Sequence, residues 1–166
     1  IRHGMPLALE LVPRGGGDAS VILDEPTLAR DHGYFNLGGL AVSPDARHLA
    51  SATDTDGSER YVIEVKDLET AALLGEAIEN TSGGMVWAAD SRTFFYVELN
   101  DSLRPYRVRR HRLGTAPTED PIVYEEDDPA FFVGLGETQS KHFVVVSTGS
   151  HVTREIRLIE AARPEA

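Results

Sequence analysis

Apolar residues come in short runs along the chain, each closed by Gly, Pro, Asp, Asn or Ser. Leu7, Leu9 and Leu11 alternate with Ala8, Glu10 and Val12, which predicts a half-buried strand. Arg14–Asp18 reads as a turn and Ser20–Leu23 as a second strand, closed by Asp24-Glu25-Pro26. Tyr34–Gly39 reads as a linker. Beyond it, strands are predicted at Leu40–Val42, Leu49–Ala52, Tyr61–Val65 and Leu73–Ile78. A second set falls at Met85–Trp87, Thr93–Glu98, Tyr106–Arg110 and Ile122–Tyr124, and a third at Phe132–Leu135, Phe143–Ser147 and Glu155–Ile159. Ser43-Pro44-Asp45-Ala46 and Asp54–Ser58 are tight turns, because Pro fixes φ and Asp bonds its own backbone. Lys66–Thr70 is placed as the hairpin to an outer strand. Helical periodicity does not exceed one turn, at Thr27–His32.

These sets are copies of one another. Leu40–Ala50 aligns without a gap on Met85–Phe95, and Asp56, Tyr61, Leu68, Thr70 and Ala71 then meet Asp101, Tyr106, Leu113, Thr115 and Ala116. A blurred third copy starts near Phe132. A period of about 45 residues built from short strands and turns is the signature of propeller blades. The expected fold is all-β: a partial β-propeller of about three antiparallel four-stranded blades. Approximate blade bounds are 1–37 (partial), 38–80, 81–128 and 129–166 (incomplete). Propeller rings take about four to eight blades, so the open faces of this arc predict either further copies or self-association.

A net charge of −11 disfavours binding to phosphate backbones and favours attraction of cationic ligands. The absence of cysteine excludes disulfide and thiolate chemistry and fits a cytoplasmic setting. No apolar run approaches the length of a membrane span. The chain opens on Ile1 and runs directly into strand-like sequence, as a piece of a longer protein would.

The run Gly38–Arg60 resembles the first full blade of the oligopeptidase B branch of the prolyl oligopeptidase family. Val65–Thr70, Asn80–Trp87, Arg104–Val108 and Val123–Glu126 resemble it as well. The resemblance covers the chain from about Asp24 onward. It implies a parent that joins a seven-bladed propeller to an α/β-hydrolase domain with a Ser–Asp–His triad. Such a parent hydrolyses short peptides after Arg or Lys, and its propeller screens out folded proteins. The family's nucleophile sits in a Gly-x-Ser-x-Gly elbow. That motif does not occur in these residues, so no catalytic residue is carried over to any position, and neither is the acidic pair that recognises the basic side chain, which the family keeps in its hydrolase domain. Substrate-binding positions stay unassigned; the six histidines show no paired metal-ligand spacing, and no cofactor or metal site is expected. The partners implied are the catalytic domain itself and short basic peptides. The rival reading is a stand-alone propeller scaffold that binds a protein through exposed loops.

Ser150-His151 and Ser43 with His48 are the closest nucleophile–base pairs in sequence, and neither spacing aims a base at a hydroxyl. Asp54-Thr55-Asp56-Gly57-Ser58-Glu59 has the look of a calcium loop, yet Val65 stands where a ligating Glu is needed. A turn explains it better. Arg104, Arg107, Arg109, Arg110, His111 and Arg112 form a basic cluster, read as an outer strand paired with neighbouring acids rather than as a nucleic-acid patch. Glu125–Asp128 is read as a solvated acidic loop, with attraction of basic peptides as its functional alternative. Trp87, Phe94, Phe95, Phe131 and Phe132 are expected to pack in the core.

Overall fold

The computed structural model describes residues 8–12 and 17–165. Strands β1 (Ala8–Leu11) and β2 (Ser20–Asp24) pair antiparallel as a separate hairpin. Leu7 and the predicted turn at Arg14–Gly16 lie outside the described residues. The short helix α1 spans Glu25–Ala29, two residues earlier than predicted, with Pro26 in its first turn, where its missing N–H goes unused. The Thr27 hydroxyl donates to Asp24 at 2.6 Å across that start. Pro117–Glu119 forms a 3₁₀ turn.

Seven strands follow in chain order in one sheet: β3 (Asn36–Val42), β4 (His48–Asp54), β5 (Tyr61–Asp67), β6 (Leu73–Trp87), β7 (Thr93–Leu99), β8 (Pro105–Arg112) and β9 (Ile122–Glu125). A three-stranded sheet holds β10 (Phe132–Glu137), β11 (Phe143–Gly149) and β12 (Arg154–Glu160). All strand pairings among the described residues are antiparallel, as for β4 with β5 and β11 with β12. The predicted linker is corrected in part, since Asn36–Gly39 already pairs with β4.

The larger correction concerns β6. Leu73–Ile78 and Met85–Trp87, expected as separate strands, are the two ends of one 15-residue strand. Its first half pairs with β5 and its second half with β7, and Thr81 is matched to both Tyr61 and Glu98. The strand changes direction at Asn80 (φ 60°) and Gly83 (φ 84°), left-handed positions that let the backbone turn without breaking the ladder. Three units result: β3–β5 with the first half of β6; the second half of β6 with β7–β9; and β10–β12.

Each unit carries the same first turn. Ser43, Ala88 and Thr138 donate their N–H to the carbonyls of His48, Thr93 and Phe143 at 2.9, 2.8 and 3.0 Å. Ala46, Ser91 and Lys141 hold φ near 60° at the same point. Leu68, Leu113 and Ala161 then donate to the carbonyls of Arg47, Arg92 and His142 at 2.8, 2.9 and 2.8 Å. The alignment read from sequence is thus an alignment of hydrogen bonds.

Two seams form the core. Ala50, Ala52, Ile63, Val65 and Ile78 of the first unit meet Trp87, Phe94 and Tyr96 of the second. Val86, Phe95, Val97 and Val108 of the second meet Val133, Val144 and Val146 of the third. Because side chains alternate along a strand, β7 sends Phe94 and Tyr96 into one seam and Phe95 and Val97 into the other. That is why Phe94–Val97 reads as an unbroken apolar run, as a strand covered on both faces does. Phe94 and Phe95 are wholly buried, each stabilising the fold by about 2–3 kcal/mol. The β1–β2 hairpin covers the outer face of the first unit, where Ile22 and Leu23 pack on Leu49.

Candidate functional site

The inner strands β3, the second half of β6 and β10 stand side by side and line a groove of about 640 Å³. Leu40, Val42, Met85, Trp87 and Leu135 give it an apolar wall. An ion pair between Lys141 and Glu137 at 3.3 Å marks one rim. Such a wall can contact and confine a chain by shape. Among the described residues that line it, no nucleophile is aligned with a base.

The sequence-level candidates resolve one by one. Ser43 donates its hydroxyl to Asp45 at 2.5 Å and accepts the His48 N–H at 3.0 Å, so it serves the turn. The His48 ring stacks on Trp87 with centroids 6.2 Å apart. Ser150 pairs with Thr153 at 3.2 Å, while His151 is exposed. Neither serine hydroxyl bonds the imidazole ring of its neighbouring histidine. Asp54, 1% exposed, accepts the N–H groups of Asp56, Gly57 and Glu59 at 3.1, 2.8 and 3.0 Å. A buried carboxylate bonded by three amides accounts for the Asp/Gly pattern as turn chemistry.

The basic cluster is engaged within the chain, by acids at Arg107, Arg109 and Arg112 and by carbonyls at Arg104 and Arg110. Arg107 pairs with Glu98 at 3.2 Å and Glu125 at 3.0 Å, and Arg109 pairs with Glu98 at 2.6 Å. Glu125 beside Arg107 holds its guanidinium even further in the charged form. Arg110 donates to the Pro164 carbonyl, and the exposed Arg112 meets Glu165 at 3.2 Å. The edge-strand part of that reading is corrected, because β8 lies between β7 and β9. The acidic run divides. Glu125 is held by Arg107, and Glu126 accepts from the Tyr124 hydroxyl at 2.7 Å. Asp127 and Asp128 are exposed. Of the aromatics, Trp87, Phe94 and Phe95 are buried as expected, but Phe132 is 52% exposed. Its position opposite Gly149 turns it to the outer face of the third unit.

Two arrangements escaped the sequence. Arg104 spreads its guanidinium over the carbonyls of Glu126, Asp128 and Phe131 at 3.1, 2.9 and 2.9 Å, pinning the loop that carries the chain into the third unit. Arg60 likewise reaches Asn80 and the carbonyls of Asn100 and Asp101. The second arrangement is a polar cluster inside the first seam. His111 Nδ1 lies 2.9 and 3.0 Å from the two carboxylate oxygens of Asp120, and the Tyr96 hydroxyl donates to Asp120 at 3.0 Å. Burial and then the Asp120 charge push the Tyr96 phenol far up. These partners lie 9 and 24 residues apart, so no local motif signals them.

With this geometry in hand, comparison with known proteins is decisive. A model of the prolyl oligopeptidase N-terminal β-propeller domain matches residues 9–166. The chain belongs to that family. Its curated relatives include dipeptidyl aminopeptidase BI of Pseudoxanthomonas mexicana, 40% identical over 145 residues, and protease 2 of Moraxella lacunata, 33% identical over 146. Each alignment takes in 87% of this chain, but only 20% and 21% of the respective relative. The chain therefore spans about a fifth of the length of these prolyl oligopeptidase relatives. Oligopeptidase B from Leishmania major superposes with a TM-score of 0.85 at 26% identity, covering 89% of this chain and 21% of that one. Oligopeptidase B from Trypanosoma brucei, in its closed form with covalently bound antipain, gives 0.79 at 28% identity over 92% and 21%. The branch resemblance read from Gly38–Arg60 holds.

Proposed function

We propose that this chain is the non-catalytic propeller portion of an oligopeptidase B-like serine peptidase that cleaves short peptides after Arg or Lys. In this reading its three units are consecutive blades, and its inner-strand groove is part of the channel wall that admits peptides and holds back folded proteins. The partner is an α/β-hydrolase domain of the same polypeptide, working in the cytoplasm. The observation that carries the reading is the family match over residues 9–166, together with superposition on oligopeptidase B. The peptidase names of the relatives weigh against the scaffold alternative. The exposed apolar outer face of the third unit, with Phe132, Ile156 and Leu158, fits an arc that joins a further blade or a second copy of itself.

Asp127 and Asp128 are exposed on the loop between the second and third units, and in this reading they are the acids of the Glu125–Asp128 run that draw in a basic peptide. In a peptidase carrying this chain, Asp127→Asn with Asp128→Asn lowers kcat/KM for Arg-containing peptides at low ionic strength, and the difference shrinks as salt screens it. Unchanged salt dependence removes the electrostatic role. Cleavage of folded proteins at rates matching short peptides removes the gate.

A further inference from the structure

Two buried acceptors face each other at the first seam. His111 on β8 is fully buried. On one side its Nδ1 meets Asp120, whose carboxylate also accepts the Tyr96 hydroxyl. A carboxylate so placed only accepts, which puts a hydrogen on Nδ1. On the other side Nε2 stands 3.5 Å from Glu76 Oε2 on β6, and neither atom has a hydrogen-bond partner. The second Glu76 oxygen accepts the Gly114 N–H at 2.6 Å. If Nε2 were a bare lone pair and Glu76 a carboxylate, two acceptors would oppose each other away from water, the costly arrangement for buried polar groups.

We propose that a single hydrogen bridges His111 Nε2 and Glu76 Oε2, so that this contact, besides the apolar packing, ties the outer strand of the first unit to the second. The surrounding charges support this. On β8, Arg109 is engaged by Glu98 and by the Asp120 carbonyl at 2.7 Å. β7 contributes Tyr96 and the Phe94 ring, 5.2 Å from His111 between centroids. Across a cavity of about 370 Å³ that Glu76 also lines stand Asp45, Arg47, His48 and Arg92. Arg47 is taken by Glu69 at 3.1 Å. Among the described residues the only ion-pair contact of Glu76 is His111. The Glu76 side chain is 16% exposed and the His111 side chain 0%.

The test is nitrogen NMR of the His111 ring in the 166-residue chain, with urea unfolding of Glu76→Gln and Glu76→Leu beside it. The glutamine amide can donate to Nε2 and still accept from Gly114, whereas leucine can do neither. The expected result is a ring whose Nε2 carries a hydrogen or accepts a strong hydrogen bond from Glu76, with the glutamine variant close to wild type in its urea midpoint and the leucine variant well below it. A ring with a free Nε2, or equal midpoints for the two variants, overturns the proposal. Should the leucine variant fail to fold, the ring spectrum of the wild-type chain decides alone.

Discussion

The Trp87 indole N–H donates to the Ala41 carbonyl at 2.9 Å. This bond joins the inner strand of the second unit to that of the first, and the ring above it packs on Phe94 at 5.1 Å. In the repeat alignment Trp87 occupies the place of Val42, so the bond is a feature of one seam rather than of the repeat. Trp87→Phe keeps most of the apolar surface and leaves the Ala41 carbonyl without its donor, at an expected cost of about 1–2 kcal/mol. Urea unfolding followed by circular dichroism measures it. A cost near zero would mean that water replaces the indole.

Where β3 and the bend of β6 meet, backbone touches backbone. A Cβ placed on Gly39 would stand 2.2 Å from the Gly83 carbonyl oxygen, an atom that no side-chain rotation can move. Gly39→Ala should therefore force the two inner strands apart and destabilise by about 1–3 kcal/mol or more. Gly33→Ala, where nothing lies within 4 Å, is the control and should be close to neutral. Paired thermal melts distinguish the two, and equal shifts would refute the close approach.

Acid should weaken the turns first. Asp90 accepts the N–H groups of Arg92 and Thr93 at 3.0 and 2.9 Å and the Thr93 hydroxyl at 2.7 Å. Burial opposes its ionisation, but these donors outweigh burial and hold the carboxyl below its ordinary range. Asp45 behaves likewise, with burial outweighed by the Ser43 hydroxyl and the Arg47 N–H. A carboxyl lowered in the folded state contributes stability above its unfolded value of about 3.9, and that stability is lost as pH falls through the folded value. Asp90→Ala is expected to cost about 1 kcal/mol at neutral pH. Below about pH 4 the gap from wild type should narrow. Urea midpoints at both pH values check this, and a constant gap would show that the carboxylate charge is irrelevant.

The turns were legible because their chemistry is local. Ser43-Pro44-Asp45-Ala46 contains both the carboxylate and the left-handed residue that its bonds require. The union of two predicted strands into β6 was not legible, since it depends on β5 and β7 offering ladder bonds to opposite edges of one segment. Phe132 was misread for a related reason. Its apolarity is visible in the sequence, but which face it takes is set by its register against Gly149.

The amino-acid sequence alone determined the repeat, the turn positions and the strand class, because each rests on contacts within a few residues or on period-two alternation. Only the tertiary structure decided which buried polar groups meet. Glu76, Tyr96, His111 and Asp120 come from different strands and turns, and nothing short of packing one unit on the next brings them within bonding distance.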